Sequence, residues 1–385
     1  MTLTKQAPYL HRRTFLALAA GSAGAMGCGY YAAERGVAYE PWTFPGAEAR
    51  PERVVAHAAL LACSPHNTQP WALRVTPAQI DVRAAPLRNV GLMDGLRREL
   101  HIGLGCAIEN AAIAARSLGL APSITLCPEP NDPDWVARIG FTRAAPQPDS
   151  LFDAIARRHT NRAAYSDEPL STETAQYLAA CAADQSVSLK LLISPADRER
   201  FAKATVDATR EIVADTPMNE DGHRWYRHSH AEIERHRDGL TLDCTGLDGF
   251  TRTLAKILAR PDAAEAGKYW IDATRERQAH APAYGLLAAS KANTREEQLN
   301  IGRAYQRIAL WATSQGLALQ PLNQLVERQD REQTGAAAVR FGTVLDDLLG
   351  TPLRAQMLFR IGRPTTEALR SPRRPLAWSM QAEDR

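Results

Sequence analysis

The sequence predicts an α+β fold assembled from two diverged halves within a single chain of 385 residues. Two observations lead to this prediction. An apolar helical stretch over residues 54–62 leads through a short polar loop into an alternating, strand-like stretch over 72–82. A helix followed by a strand then occurs twice along the chain with related sequences, which indicates an internal duplication.

The repeated helices align without gaps over residues 104–121 and 301–318. In both copies small residues line one face and a glycine ends the helix, so we expect two helices that approach each other closely. After each helix we expect a strand that ends in the same Arg-Ile-Gly tripeptide, at 138–140 and 360–362. Coincidental similarity between two alanine-rich helices is the alternative to duplication.

The N-terminal residues 1–35 are not expected to belong to the fold. Arg12 and Arg13 precede a phenylalanine, a leucine and an alanine- and glycine-rich run that ends at Ala33. This pattern is typical of a twin-arginine export signal, whereas its glycines make it a poor core helix. We therefore expect the twin-arginine machinery as a partner, and a location that is periplasmic or membrane-anchored outside the cytoplasm. Cleavage of the signal and anchoring by it remain alternatives.

Composition argues against several classes of function. A formal net charge of +3 is too small to indicate a nucleic-acid partner. The six cysteines lie far apart and form no metal-binding spacing, so we expect buried thiols and no metal. Histidines cluster within the central segment at about 205–280, but without acidic or thiol partners at a firm spacing. We expect that segment to contain an amphipathic helix in which Trp225, Tyr226 and Ile233 face inward.

Two polar segments are candidates for ligand binding. The loop from Ser64 to Trp71 presents hydroxyl, amide and aromatic groups that suit a flat polar ligand, although an ordinary helix-to-strand turn has similar residues. Arg158, Thr160 and Arg162 follow a short helix predicted over 151–156. Guanidinium groups bind phosphate in a bidentate manner, and a solvated basic helix end is the alternative.

The loop resembles a motif of the nitroreductase-like FMN-binding oxidoreductases, Pro-Ser-Ser-x-Asn-x-Gln-Pro-Trp. The chain matches it at Ser64, Asn67, Gln69, Pro70 and Trp71. Pro65 and His66 depart from it. In that family the motif contacts the flavin ring of FMN across a subunit interface. The resemblance therefore implies candidate FMN contacts at Ser64, Pro65, Asn67 and Gln69.

The basic segments fit the same resemblance. Arg158-x-Thr160-x-Arg162 is similar to the family's Arg-x-Ser-x-Arg element, which holds the FMN phosphate. Near the C-terminus, Arg373 and Arg374 lie in a segment similar to one whose basic residues reach that phosphate. The sequence does not choose between these two arginines, and a solvated tail is the alternative.

Pro321 and Leu322 follow the second repeated helix and occupy the position where a backbone N–H of the family contacts flavin N5. An ordinary loop is a strong alternative there. The resemblance implies a nitroreductase-like fold in which the two halves, at 50–148 and 149–380, form a pseudo-dimer. Only the first half has the loop motif and only the second has the arginine element, so we expect one FMN per chain.

The resemblance, which includes the twin-arginine-exported, Acg-type branch of the family, implies an FMN-dependent oxidoreductase. Hydride would pass through flavin N5 to an unidentified acceptor from an unidentified donor. The flavin carries the chemistry, so no catalytic side chain is expected. The insertion at about 205–280 would cover the flavin as a lid. The alternative is a flavin-binding or storage protein with a buried FMN and little turnover.

Overall fold

The computed structural model describes residues 33–46 and 48–381, and the predicted α+β fold is confirmed. The predicted export signal lies outside these residues except for its last three. One of those three, Glu34, accepts a hydrogen bond from Arg370 near the C-terminus. No helix in the described part of the chain is long and apolar enough to cross a membrane.

The described helices are α1 (Pro51–Leu60), α2 (Arg98–Ser117), α3 (Ser150–Ile155), α4 (Thr172–Ala183), α5 (Pro195–Ala214), α6 (Thr216–His223), α7 (His230–His236), α8 (Gly249–Ile257), α9 (Ala263–Ala273), α10 (Arg295–Ser314), α11 (Gln324–Gln333), α12 (Phe341–Leu349) and α13 (Leu376–Ser379). The strands are β1 (Trp71–Val75), β2 (Gln79–Ala84), β3 (Leu120–Leu126), β4 (Trp135–Arg143), β5 (Ser188–Leu192), β6 (Tyr226–Arg227), β7 (Leu240–Thr241), β8 (Ala283–Ala289), β9 (Ala318–Pro321) and β10 (Arg354–Gly362).

Two four-stranded sheets have the same layout. Their strand orders are β1-β2-β4-β3 and β5-β8-β10-β9, and every pairing in them is antiparallel. In each sheet the strand that follows the repeated helix, β3 or β9, lies at an edge beside the strand with the Arg-Ile-Gly tripeptide. Short β6 and β7 form a separate parallel pair within the insertion.

Two local predictions are wrong in detail. The stretch over 72–82 is not one strand, because a turn at residues 76–78 divides it into β1 and β2. Pro77 lies in this turn, and the Thr76 hydroxyl oxygen accepts a hydrogen bond from the Gln79 N–H at 3.1 Å. In the insertion, Trp225 and Tyr226 lie between α6 and α7 rather than on one helix. Trp225 is nevertheless buried, as is Ile233 on α7.

The two repeated helices, α2 and α10, pack directly on each other in the main apolar core. A methyl group added to Gly105 would lie 2.0 Å from the carbonyl oxygen of Leu299, and one added to Gly302 would lie 2.0 Å from that of Ile102. The contact is reciprocal, since the same offset along the chain relates the two glycines and the two carbonyls. Only glycine permits this backbone approach.

Polar side chains also cross the helix pair. The buried carboxylate of Glu109 on α2 accepts a hydrogen bond from Arg303 at 3.1 Å and pairs with Arg307, both on α10. The Gln306 amide donates to Asn110 at 2.8 Å. These bonds fix the register of one helix against the other as well as their separation.

Substituting either interface glycine tests this packing. Gly105→Ala and Gly302→Ala should each lower the free energy of unfolding by about 1–3 kcal/mol, because the added methyl forces the helices apart. Gly95→Ala is the control: its backbone is helical, at φ −60° and ψ −26°, and a methyl there meets nothing within 4 Å. Urea unfolding measures all three. Equal stability of the interface variants and the control would contradict the close contact.

Candidate functional site

Arg158 and Arg373 lie close together in the protein interior, although 215 positions of chain separate them. Their exposed fractions are 4% and 2%. Nη2 of Arg158 donates to the Leu61 carbonyl at 3.4 Å, but its Nε has no hydrogen-bond partner among the described residues, and neither do Nε and Nη1 of Arg373. Burial, and then the like charge of Arg158, lowers the pKa of Arg373 to about 9. Two buried cations with unused N–H groups could hold an anion.

Arg374 does not join this pair. Its backbone N–H donates to the Gln69 side-chain oxygen, and its Nη2 donates to the Trp378 carbonyl, both at 2.9 Å. The positive charge that acts on it belongs to Arg88 rather than to Arg158. Of the two C-terminal arginines that the sequence left open, the structure brings Arg373 to Arg158.

Arg162 faces the insertion. Its Nη1 donates to the carbonyl of Cys244 at 3.1 Å. Burial, and then the charge of Arg162, lowers the pKa of His66 to about 4, so this histidine is neutral at physiological pH. The thiol of Cys244 interacts electrostatically with both Arg162 and Arg373, which lie in the same neighbourhood. Thr160, between the two arginines of the predicted element, is half-buried.

The backbone of the 64–71 loop is unusual. His66, Asn67 and Gln69 all adopt positive φ, at 46°, 55° and 53°. Asparagine tolerates this conformation, but histidine and glutamine adopt it rarely, so the surrounding structure must hold the loop in place. Pro65 supports it from one side by packing against Gly103 of α2. The polar sequence pattern identified this loop, but it gave no sign of the backbone strain.

The loop amides tie three segments together. Asn67 Nδ2 donates to the carbonyls of Gly239, at 3.1 Å, and Pro372, at 2.9 Å. Gln69 Nε2 donates to the carbonyl of Arg237 at 2.9 Å. Asn67 Oδ1 is the loop amide atom that lacks a hydrogen-bond partner within 33–46 and 48–381. The loop therefore fastens the insertion and the C-terminal segment to the end of α1.

Asp238 adds ion pairs to this connection between the loop and the insertion. The sequence did not identify this residue. The buried carboxylate pairs with Arg88 on one side and with Arg227, at 2.7 Å, on the other. Arg88 also donates through Nε to the Thr68 carbonyl at 2.5 Å. The insertion is thus held on the loop by buried charges, which are screened little by salt. No sequence motif marks residues that lie this far apart along the chain.

The segment at Pro321 and Leu322 differs from its expected role. Proline has no backbone N–H, and the N–H of Leu322 already donates to the carbonyl of Leu358 at 2.8 Å. Neither residue therefore offers the free backbone donor expected at this position. Pro321 is half-buried and Leu322 is fully buried, at the point where β9 leads into α11.

A second charged centre follows directly after this point. Asp330 on α11 accepts hydrogen bonds from Arg98, at 2.8 Å, and from Arg354, at 2.5 Å. Three further buried carboxyl groups lie around these pairs: Asp94, Glu99 and Glu327. Four carboxyl groups thus share two guanidinium groups. The sequence gave no indication of this centre, because α11 reads as a solvated polar helix.

Among these four carboxyl groups, Glu327 is the one that most clearly lacks a positively charged partner. Its exposed fraction is 6%, and its Oε2 has no hydrogen-bond partner in the described part of the chain. Burial raises the pKa of this carboxyl well above its usual range, and the negative charges of Glu99 and Asp94 add to the effect. The positive charge of Arg98 lowers the pKa of Glu327 but does not cancel this increase. The direction of this shift favours the protonated, neutral form of Glu327 in the folded protein.

Known proteins resemble this chain over most of its length. A Mycobacterium tuberculosis protein named "Putative NAD(P)H nitroreductase" is 28% identical over 332 residues, which cover 83% of this chain and 86% of the relative. Another from the same organism, named "Putative NAD(P)H nitroreductase acg", is 24% identical over 339 residues, covering 84% and 94%. No protein-family model matches the chain.

Solved structures also show a likeness. The FMN-dependent nitroreductase NfnB of Mycobacterium smegmatis, in complex with NADPH, matches with a TM-score of 0.41 and 18% identity, over 61% of this chain and 98% of that one. A nitroreductase from Desulfitobacterium hafniense with bound FMN matches with a TM-score of 0.36 and 14% identity, over 60% of this chain and 95% of that one.

In the described residues of the present chain, no group of three or more His, Cys, Asp or Glu side chains could hold a metal ion.

The pH dependence of the free energy of unfolding tests whether Glu327 is neutral in the folded protein. When folding raises the pKa of a carboxyl, the free energy of unfolding falls as the pH rises above the pKa of that group in the unfolded chain, about 4.3. Glu327→Gln removes this loss, so the variant should match the wild type near pH 4 and exceed it progressively at pH 7–8 in urea unfolding. Asp330→Asn is the control, because it breaks two buried ion pairs and should cost about 3–5 kcal/mol. Destabilisation by Glu327→Gln at pH 8 would show that Glu327 is ionised.

Proposed function

We propose that this protein is an FMN-dependent oxidoreductase of the nitroreductase type. The observation that carries the proposal is the buried pair Arg158 and Arg373, whose unused N–H groups suit a phosphate. The resemblance of the 64–71 loop to a flavin-binding motif supports it. The similarity of most of the chain to proteins named as NAD(P)H nitroreductases supports the same activity.

The residues present fit the phosphate of FMN. A phosphate dianion between Arg158 and Arg373 would offset their mutual repulsion and accept hydrogen bonds from the three unpaired nitrogens. Thr160 and Arg162 belong to the same stretch of chain, and Arg162 would add positive charge beside Cys244. When bound, FMN accepts and donates hydride at N5 of its ring. The protein would bind and orient the cofactor and exclude water.

We also propose that the fold arose by duplication and fusion, with halves at 50–148 and 149–380 and a single FMN site. The reciprocal contact of Gly105 and Gly302 supports this, as does the identical strand order of the two sheets. A homodimer of one half would have two equivalent sites at its interface. Here the loop motif occurs in one half and the arginine element in the other, so a single site is complete.

The cellular location is proposed from the sequence. Arg12 and Arg13 with the following apolar run support export by the twin-arginine machinery. This route carries folded proteins, which suits a protein that takes up its cofactor before export. Fractionation of cells expressing the full chain tests this location. Recovery in the cytoplasm alone would overturn it.

A second function is favoured by one observation, the fastening of the insertion onto the loop. Asp238, with Arg88 and Arg227, and the bonds of Asn67 and Gln69 to residues 237–239 close this side of the site. A lid held in this way would slow the entry of an electron donor or acceptor. The protein would then hold a buried FMN with little turnover, and binding rather than catalysis would be its role.

The phosphate assignment is tested by comparing adjacent arginines. Arg373→Ala and Arg158→Ala should each raise the Kd for FMN by about 10- to 100-fold, because a charge-assisted hydrogen bond contributes about 1.5–3 kcal/mol. Arg374→Ala should change it little, since Arg374 lies away from Arg158. Fluorescence titration of FMN measures these constants. Equal losses at Arg373 and Arg374, or none at Arg158, would place the phosphate elsewhere.

The two functions separate in one kinetic measurement. Purified protein reconstituted with FMN is mixed with NADPH, or with dithionite, in the presence of a nitroaromatic compound. Bleaching of the flavin absorbance by NADPH within seconds, with loss of the nitroaromatic, is the result expected for a reductase. Slow bleaching even by dithionite identifies a buried, storage-type flavin. Protein that stays colourless after reconstitution contradicts both functions.

A further inference from the structure

The segment formed by residues 34–42 crosses the C-terminal segment at 370–373, and the two are joined by polar contacts. The Glu34 carboxylate accepts hydrogen bonds from the backbone N–H and the guanidinium of Arg370, at 2.5 and 2.6 Å. The Ala38 carbonyl accepts from the N–H of Arg373 at 2.7 Å. Trp42 Nε1 donates to the Ser371 carbonyl at 2.8 Å. We call residues 34–42 the strap.

The strap reaches the side chain of Arg373 as well as its backbone. The indole ring of Trp42 lies 5.0 Å from the guanidinium carbon of Arg373, within cation–π range. The exposed fraction of Trp42 is 3%, so water does not weaken the contact. An arginine stacked on an aromatic face keeps its in-plane N–H groups available for an anion. Nε and Nη1 of Arg373 have no hydrogen-bond partner among the described residues, so both are available.

This contact answers an electrostatic difficulty. Arg158 repels Arg373, and burial deprives both of solvation, so Arg373 alone would favour an orientation toward water. The face of the indole ring is negative and attracts the guanidinium. The hydrogen bonds from Arg373 N–H to the Ala38 carbonyl and from Trp42 Nε1 to the Ser371 carbonyl hold the backbone of this segment in place. The strap therefore holds Arg373 beside Arg158 before an anion binds.

A third feature of the strap points to a ligand. The hydroxyl of Tyr39 is buried and has no hydrogen-bond partner in residues 33–46 and 48–381. It interacts electrostatically with Cys244, whose thiol also interacts with Arg162 and Arg373. An unpaired buried hydroxyl can donate a hydrogen bond to a ligand.

We propose that the strap is part of the phosphate site, with Trp42 as the residue that positions Arg373. This inference rests on the proposed function only for the identity of the anion as the phosphate of FMN. It also sets a limit on processing. Any cleavage of the N-terminal segment must leave Glu34 and the residues after it on the mature chain, because removal of the strap would release Arg373.

The test compares FMN with riboflavin, which lacks the phosphate. In Trp42→Leu the Kd for FMN should rise about tenfold or more, whereas the Kd for riboflavin should stay the same. The ratio of the two constants therefore reports on the phosphate contact alone. If Trp42 had a purely structural role, the variant would bind both ligands more weakly by the same factor. The ratio would then be unchanged, and that result would overturn the proposal.

Two further variants complete the design. Trp378→Leu removes another indole that contacts arginines, at 4.7 Å from Arg237 and 5.9 Å from Arg374, but outside the strap. Its FMN-to-riboflavin ratio should match that of the wild type. If Trp42→Leu does not fold, Trp42→Phe keeps an aromatic face in the core and loses the bond to Ser371. We expect an intermediate change in the ratio for that variant, and no change would overturn the proposal.

Failure of the proposed function is recognised separately. If the wild type binds neither FMN nor riboflavin, thermal unfolding is followed with inorganic phosphate as the probe. A rise in Tm with phosphate for the wild type but not for Trp42→Leu would retain the strap as part of an anion site and discard the flavin. No rise for the wild type would overturn both the site and the proposal.

Discussion

The contact between α2 and α10 at Gly105 and Gly302 is the constraint on which the rest of the structure depends. Each glycine leaves room for the opposite backbone, and no other residue could occupy either position without moving a helix. α1 packs on α2 and α3 packs on α10, so the separation of the central pair also sets the separation of the segments that follow α1 and α3. Arg158 reaches the carbonyl of Leu61 across this junction.

The site at this junction is electrostatically strained without a ligand. Arg158 and Arg373 are like charges with little access to water, and three of their nitrogens have no hydrogen-bond partner among the residues described. Folding must supply the free energy that keeps them together, and the indole of Trp42 and the backbone carbonyls around them contribute part of it. An anion would supply the rest. This is the physical basis for treating the pair as a binding site rather than as a structural ion pair.

The centre around Asp330 has the opposite imbalance. There the carboxyl groups outnumber the guanidinium groups, and the raised pKa of Glu327 favours its neutral form, which would offset the excess negative charge. The protein therefore contains two buried charged centres that follow different rules. Arginine keeps its charge at neutral pH, so an anion would balance the charge of the first centre. A carboxyl can accept a proton, so the second centre needs no counter-ion, and no ligand has to be inferred from it.

Much of the architecture was readable in the sequence because it depends on local patterns. Helical and strand periodicity predicted the α+β class, and the small residues repeated on two helices predicted their close packing. The types of residue in the 64–71 loop and at 158–162 indicated ligand chemistry. Element boundaries were less certain, because the turn at 76–78 and the short elements around Trp225 interrupt patterns that read as continuous.

Only the tertiary structure decided which of these residues meet. It brought Arg373 to Arg158, whereas Arg374 donates to the carbonyl of Trp378 and lies near Arg88. It also showed that the N–H of Leu322 already donates to β10, that the strap contacts Arg373, and that Asp238 pairs with Arg88. The sequence by itself determined which chemical groups the protein possesses. Their proximity, burial and unsatisfied hydrogen bonds arise from contacts between distant parts of the chain, and no local pattern encodes those contacts.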